Sequence, residues 1–226
     1  MFGAQIQQRA RRIAESIVRP LAAIGLTPNV ATFLGLLLSV VTAGVLTTGH
    51  LRVGGALTLF AGIFDMFDGA LARVQNRKTT FGAFFDSTLD RYSEGLVLRG
   101  VLLFAVELPP SPTRTWVVVL TYVAGLSSLM VSYAKARAEG LGLDCKVGLM
   151  ARPERVILLA VGLMVGGAWL LPWTMGLLAL TSTYTAVQRI AHVWRVLERP
   201  SPVVVRDERP ARIGRVADVA ARGERD

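Results

Sequence analysis

The segment that decides the fold is a run of 26 residues in which four aspartates interrupt otherwise apolar sequence. It reads Asp65-Met66-Phe67-Asp68-Gly69-Ala70-Leu71-Ala72-Arg73, then eight residues, then Gly82-Ala83-Phe84-Phe85-Asp86-Ser87-Thr88-Leu89-Asp90. The flanking sequence predicts two consecutive membrane-spanning helices, each carrying two aspartates. An unpaired aspartate at the centre of a spanning helix costs roughly 2.5 to 3.5 kcal/mol, so four would cost on the order of 10 kcal/mol or more. A cationic partner must therefore offset their charge.

The spacing of the aspartates predicts that they converge. Asp65 and Asp68 are three residues apart and share one helix face, while Asp86 and Asp90 are four apart and share a face of the next helix. If the two helices pack antiparallel, the carboxylates meet at one place. Such an oxygen-only site suits hard divalent cations, Mg²⁺ or Mn²⁺, and four carboxylates are enough to hold two ions. The alternative is ion pairing between helices, through the nearby Arg73, Arg91 and Arg99.

The residues between the two aspartate pairs indicate which kind of ligand the cations would bind. Gly69 and Ala72 carry almost no side chain on the turn after Asp68, so a bulky group can approach the backbone closely. Arg73 can make a forked contact with a phosphate. Divalent cations, small residues and an arginine together indicate a diphosphate-binding site.

The whole pattern resembles a known family signature. The chain meets D-x2-D-G-x2-A-R-x8-G-x3-D-x3-D without a departure, and this pattern is similar to the signature of the CDP-alcohol phosphotransferase family. The resemblance implies an integral membrane enzyme that displaces CMP from a CDP-linked alcohol, usually CDP-diacylglycerol, with a second alcohol as nucleophile. It also implies a homodimer.

The resemblance further implies roles for individual residues. Asp90 is expected to act as general base on the acceptor hydroxyl, in addition to binding metal. Contacts with the CDP-lipid are expected for Asn29, Thr32, Gly69, Ala72, Arg73 and Thr79. Capping of helix N termini would also account for Asn29, Thr32 and Thr79, so for these three residues both interpretations stay open.

Composition places the chain in a membrane. Of its 226 residues, 52% are hydrophobic and 18% charged, and the mean hydropathy is +0.48, which is too apolar for a soluble domain. The formal charge of +9 falls mainly at helix ends and tails, where it suits anionic lipid headgroups and phosphorylated substrates rather than nucleic acid. The single cysteine excludes an intrachain disulfide, and the polar first 20 residues predict no cleavable signal peptide.

The apolar pattern predicts an all-α polytopic membrane protein in three parts. Residues 1–22 are expected to form an amphipathic interfacial helix, residues 23–197 a catalytic domain of six transmembrane helices, and residues 198–226 a disordered tail. The predicted spans are 30–48, 52–74, 81–108, 116–135, 153–171 and 172–192, with Pro172 starting the sixth. Lysines and arginines collect on one side, which predicts a protein of the inner, cytoplasmic membrane with both termini in the cytoplasm.

Basic residues in the later helices predict an acceptor that carries its own phosphate. Arg152 and Arg155 are three residues apart and can act on one group, while Arg189 lies among apolar residues, where a buried anion explains it best. Three of these basic residues resemble the acceptor-phosphate clamp of the bacterial family members that use inositol 1-phosphate to make phosphatidylinositol phosphate. They are Lys135, Arg152 and Arg189. Anchoring at the membrane surface is the alternative explanation of such a cluster. The alternative acceptor is glycerol 3-phosphate, used by phosphatidylglycerophosphate synthases.

Two other classes of membrane protein compete with this interpretation. Intramembrane prenyltransferases also bind Mg²⁺ on aspartate-rich helices, but they would have two well-separated motifs in a longer chain. A cation transporter would spread acidic residues over several helices, whereas the predicted fourth, fifth and sixth spans have none in their apolar centres.

Two smaller features also give predictions. Gly162 and Gly166 allow close helix packing and are compatible with a homodimer. Glu94 continues the stripe of Asp86 and Asp90, and it is predicted to pair with Arg91 or Arg99, with a part in placing the acceptor as the alternative.

Overall fold

The computed structural model describes residues 18–20, 22–23, 25–77 and 79–198. Most of the predicted interfacial helix (1–22) and nearly all of the predicted tail (198–226) lie outside these residues, and both stay predictions. Within the described chain the regular structure is all helical. Its five long helices are α1 (Pro28–Thr47), α2 (Leu51–Val74), α3 (Thr80–Glu107), α4 (Pro112–Gly140) and α5 (Arg152–Glu198).

Local capping signals start three of these helices. The side chains of Thr27, Thr79 and Ser111 each accept a hydrogen bond from the backbone amide three residues ahead, which satisfies a donor that the first helical turn leaves free. Proline follows the cap at the first position of α1 and α4, where its missing amide is harmless. The bounds of α1, α2 and α3 agree with the predicted spans to within two residues.

Helix α5 is a hairpin rather than one continuous helix. Gly167 has φ 52° and ψ −133°, a conformation that glycine adopts readily, and it divides α5 into α5a (152–166) and α5b (168–198). A Cβ atom on Gly162 would lie 2.3 Å from the side chain of Thr174, although twelve residues of straight helix would separate them by about 18 Å. The two halves therefore run antiparallel. The prediction that Pro172 begins the sixth helix is wrong, because the chain reverses at Gly167.

The hairpin also accounts for the glycine pair of α5a. A Cβ atom on Gly166 would collide with Leu170, at 1.9 Å, and Gly162 faces Thr174 of the same chain. Both glycines are thus used within the hairpin, and they give no support to a homodimer interface. The homodimer stays a prediction.

The helices enclose one main apolar core. Helix α1 packs on α2 and α3, α2 on α5, α3 on α4, and α4 on α5. Backbones approach closely at two glycines, since a Cβ atom on Gly100 would lie 2.6 Å from the carbonyl oxygen of Ala43, and one on Gly55 would lie 2.8 Å from that of Ala160. The core includes the fully buried Leu46, Val101, Leu163 and Met175. These contacts fix the positions of α2 and α3, the two helices that carry the aspartates, within the bundle.

The protein is a multi-pass membrane protein. Helices α1, α2, α4 and α5 of the described chain are long and apolar enough to cross a membrane, and large apolar side chains such as Phe60, Trp116 and Val165 are more than half exposed on the outer surface. Helix α3 has 28 residues but carries the charges of the site. Because α5 is a hairpin, the five helices give six helical segments, in agreement with the predicted number of helices.

Candidate active site

Helices α2 and α3 bring the four aspartates to one end of the bundle, where they line two adjoining cavities. Asp68 and Asp86 line a cavity of 280 Å³, here called the Arg73 cavity. Asp65, Asp86 and Asp90 line a second cavity of 340 Å³, here called the Arg152 cavity. The two cavities meet at Asp86, which lines both. The four aspartates therefore lie together, as their spacing predicts.

The Arg73 cavity lies between the start of α1, the end of α2 and the start of α3. Its wall contains all six residues that were expected to contact the CDP-lipid: Asn29, Thr32, Gly69, Ala72, Arg73 and Thr79. A Cβ atom on Gly69 would lie 3.6 Å from Nη1 of Arg73, so a larger residue there would fill the space beside the guanidinium. The glycine keeps that space open for a ligand.

Thr32 and Thr79 have different roles in this wall. Thr32 Oγ1 lies 2.8 Å from Oδ2 of Asp68, to which it donates, and both side chains are buried. The backbone amide of Gly69 also donates to Asp68, so two donors orient this carboxylate. Thr79 caps α3 through the amide of Gly82, at 2.9 Å. Capping therefore accounts for Thr79, while Thr32 is linked directly to the acidic cluster.

The Arg152 cavity is dominated by one bridging side chain. Nη2 of Arg152 lies 2.7 Å from Oδ2 of Asp65, and Nη1 lies 3.0 Å from Oδ1 of Asp90. Arg91 is more distant from Asp90, at 3.6 Å. The arginine that joins α2 and α3 thus comes from α5, and Arg152 is not one of the three arginines that the ion-pair alternative considered.

The four carboxylates fit a divalent cation in chemistry and number. Carboxylate oxygens are the donors that Mg²⁺ and Mn²⁺ prefer, and the four aspartates surround adjoining cavities. No three acidic, histidine or cysteine side chains of the described residues already form a coordination shell. The reason is local, because Asp65 and Asp90 are turned toward Arg152 while Asp68 is turned toward Thr32. Withdrawal of Arg152 would free two carboxylates on the cavity wall.

The structure separates Arg155 from the predicted acceptor cluster. Its guanidinium makes a forked contact with Glu94, at 2.7 and 2.9 Å, and the side chain is only 2% exposed. Arg152 and Arg155 therefore contact different carboxylates, which does not support their joint action on one anion. Glu94 is bound by Arg155 rather than by Arg91 or Arg99.

Arg189 and Lys135 are also apart from the Arg152 cavity. Arg189 donates to the carbonyl oxygens of Val147, at 3.0 Å, and Val131, at 2.5 Å. These carbonyls, rather than an anion, satisfy its guanidinium. Lys135 lines a separate cavity of 780 Å³ between α3 and α4 and lies 3.7 Å from Glu139. The four residues of the predicted cluster thus have four different surroundings.

One face of α5b holds the loop that leads into α5a, an arrangement that was not predicted. Thr185 and Gln188 accept hydrogen bonds from the amides of Met150 and Leu149, both at 3.1 Å. His192 lies 3.1 Å from the carbonyl oxygen of Asp144. With Arg189, these side chains form a stripe at helical spacing. Polar residues recurring at that spacing on an apolar helix were the available signal.

The bundle of apolar helices and its acidic cavities are those of a membrane protein with a candidate cation-binding site. The model of the CDP-alcohol phosphatidyltransferase family matches residues 25–196, and the chain belongs to this family. The protein is therefore a transferase of phospholipid synthesis, and the prenyltransferase and transporter alternatives are set aside.

Individual relatives resemble the chain over most of its length. Phosphatidylinositol phosphate synthase of Mycobacterium tuberculosis is 41% identical over 193 residues, which cover 81% of this chain and 86% of that protein. Archaetidylinositol phosphate synthase of Methanothermobacter thermautotrophicus is 36% identical over 194 residues, covering 83% of this chain and 94% of that protein.

Solved structures of the mycobacterial synthase have the same fold. The crystal structure with CDP-DAG bound matches with a TM-score of 0.74 and 39% identity, over 81% of this chain and 94% of that chain. The complex with manganese and citrate matches with a TM-score of 0.75 and 38% identity, over 80% of this chain and 88% of that chain.

Proposed function

We propose that the protein transfers the phosphatidyl group of CDP-diacylglycerol to inositol 1-phosphate, giving phosphatidylinositol phosphate and CMP. The observation that carries the proposal is the Arg73 cavity, whose wall joins the six expected CDP-lipid contacts to two of the aspartates. Relatives named phosphatidylinositol phosphate synthase, 41% identical to this chain, support the acceptor.

The reaction is a direct displacement at phosphorus. Two divalent cations, Mg²⁺ or Mn²⁺, held by Asp65, Asp68, Asp86 and Asp90 would polarise the diphosphate and neutralise the leaving CMP. Arg73 would bind the diphosphate beside Gly69 and Ala72, which line the same cavity. Asp90 takes the proton of the acceptor hydroxyl, whose oxygen forms the new P–O bond while the bridging P–O bond to CMP breaks.

The acceptor phosphate is assigned to Arg152, with Lys135 at the entrance between α3 and α4. Arg152 is suited to this role because it is already held beside Asp90, and a bound phosphate can replace a carboxylate as the partner of its guanidinium. Arg155 and Arg189 are assigned supporting roles, since Glu94 and backbone carbonyls occupy their donors.

The test is CMP release by the purified protein from CDP-diacylglycerol in the presence of Mn²⁺. We expect release with inositol 1-phosphate and little with glycerol 3-phosphate or free inositol. Preference for glycerol 3-phosphate would replace the proposed acceptor by the alternative one. No CMP release with any of the three would refute the proposed reaction.

The cellular arrangement is part of the proposal. We place the protein in the inner, cytoplasmic membrane with both termini in the cytoplasm, because the basic residues collect at the aspartate end of the bundle. CMP can leave to water from that end. Single cysteines introduced into a Cys145→Ser background near residue 77 and near residue 110 should react with an impermeant reagent from opposite sides of the membrane.

A further inference from the structure

Glu94 and Arg155 form a buried ion pair to which no step of the proposed reaction assigns a role. Nε and Nη2 of Arg155 lie 2.7 and 2.9 Å from the two carboxylate oxygens of Glu94, and Nη1 donates to the carbonyl oxygen of Met150 at 3.4 Å. Arg155 is 2% and Glu94 12% exposed. Removing one partner of such a pair leaves an uncompensated charge, so the pair strongly resists separation.

This pair lies one turn further into the membrane than the contact between Arg152 and Asp90. Glu94 follows Asp90 by four residues, and Arg155 follows Arg152 by three, so each helix presents both of its side chains on one face. The two ion pairs therefore form successive rungs between α3 and α5a. We call Arg152–Asp90 the outer rung and Arg155–Glu94 the inner rung.

The rungs join two helices whose backbones do not pack closely. Helices α3 and α5 are not among the closely packed helix pairs of the described chain, although Val97 and Leu98 of α3 and Leu159 of α5a belong to the same buried core. Arg152 and both members of the inner rung line one small cavity of 30 Å³. The ion pairs therefore contribute directly to the contact between α3 and α5a.

The two arginines differ in exposure. Arg152 is 24% exposed and contacts two carboxylates on the wall of an open cavity, whereas Arg155 has one forked carboxylate partner and almost no exposure. A movable side chain delivers a ligand accurately only if its backbone is fixed. The inner rung supplies that fixed point three residues away.

We propose that Glu94 and Arg155 are positioning residues, whose ion pair sets where Arg152 holds the acceptor phosphate relative to Asp90. The inference rests on the proposed function, which places the acceptor between Arg152 and Asp90. Misplacing a reactant by about 1 Å can cost roughly 100-fold in rate, so a loosened inner rung should disturb acceptor use. CDP-lipid binding should change little, because the Arg73 cavity is lined by α1, α2 and the start of α3.

The experiment compares steady-state kinetics for both substrates in full-length protein reconstituted in lipid nanodiscs with Mn²⁺. The variants are Glu94→Gln, Arg155→Gln, the double variant and Arg155→Lys, with Asp144→Asn as control because it removes an exposed ion pair with Lys146. Thermal unfolding of each variant is measured in parallel. Rates are normalised to folded protein.

We expect each glutamine variant to raise the KM for inositol 1-phosphate by about tenfold or more, while the KM for CDP-diacylglycerol stays within about twofold. The double variant should be no worse than the worse single variant, because both remove the same interaction. Arg155→Lys should be intermediate, and Asp144→Asn should resemble the wild type.

Two results would overturn the proposal. One is a lower unfolding temperature with kinetic constants unchanged per folded molecule, which would mean that the pair only stabilises the fold. The other is an equal rise in both KM values, which would mean general loosening. If the glutamine variants do not fold, an unchanged acceptor KM in Arg155→Lys overturns the proposal equally. Wild-type protein that releases no CMP refutes the proposed function instead, before any variant is compared.

Discussion

Nη2 of Arg152 lies 2.7 Å from Oδ2 of Asp65, and the same guanidinium reaches Asp90 on the neighbouring helix. One cation from α5 thus contacts two of the four carboxylates that are assigned to divalent cations. A divalent cation coordinated by Asp65 and Asp90 would be repelled by the guanidinium that contacts the same two carboxylates. Arginine and metal therefore compete for Asp65 and Asp90.

This competition predicts the effect of Arg152→Gln. The variant should bind Mn²⁺ with a midpoint lower by about tenfold, which corresponds to about 1.4 kcal/mol of removed competition, and it should use inositol 1-phosphate poorly. The measurement is thermal unfolding during Mn²⁺ titration without acceptor. Arg91→Gln is the matched control, since Arg91 is 3.6 Å from Asp90. An unchanged midpoint in Arg152→Gln would show that the arginine does not compete.

Asp90→Asn should abolish turnover without unfolding the protein. The asparagine keeps the size of the side chain but cannot accept the acceptor proton, and loss of a general base typically costs about 10² to 10⁴ in rate. CMP release at saturating Mn²⁺ measures the effect, with thermal unfolding as the check on the fold. A variant that retains the wild-type rate would exclude Asp90 as the base.

Thr32→Val should destabilise the protein and weaken the acidic cluster. It removes the buried donor that lies 2.8 Å from Asp68, and hydrogen bonds to charged groups are worth about 1.5 to 3 kcal/mol. The unfolding temperature should fall accordingly, and the KM for CDP-diacylglycerol should rise. Thr32→Ser keeps the hydroxyl and should restore most of both quantities. Equal behaviour of valine and serine would show that the hydroxyl of Thr32 does not support Asp68.

Gly100→Ala should be much more destabilising than Gly95→Ala on the same helix. A Cβ atom on Gly100 would lie 2.6 Å from the backbone oxygen of Ala43, whereas one on Gly95 has no neighbour within 4 Å. Overpacking of this kind costs about 1 to 3 kcal/mol, while alanine at an open helical position is neutral or stabilising. Thermal unfolding of the two variants tests the contact between α1 and α3, and similar unfolding temperatures would contradict it.

The helices and the aspartates could be predicted because their signals are local. Hydropathy and caps such as Thr79 are contained within a few residues, and the spacing of Asp65, Asp68, Asp86 and Asp90 defines which faces they share. The hairpin was placed at Pro172 because proline is the stronger helix breaker in sequence, whereas the positive φ of Gly167 depends on how α5b packs back on α5a.

The basic residues could not be assigned in the same way. Arg155 and Glu94 are 61 residues apart, and nothing local distinguishes Arg155 from Arg91 or Arg99 as the partner of Glu94. Arg189 was expected to bind an anion because a buried arginine needs acceptors, but it donates to the backbone carbonyls of Val147 and Val131, which are 42 and 58 residues away in the chain. The partner of a charged side chain that lies far away in the sequence can be predicted only when the fold is known.

The anchoring of residues 144–150 by α5b limits where the chain can change in length. Met150 is fixed to Thr185 only two residues before Arg152, so an insertion between them would turn Arg152 by about 100° around the helix axis. Leu141 and Gly142 lie ahead of the first anchor and are exposed, so an insertion there can bulge into solvent. Loop-length engineering at this end of the molecule should therefore succeed before Asp144 and fail after Met150.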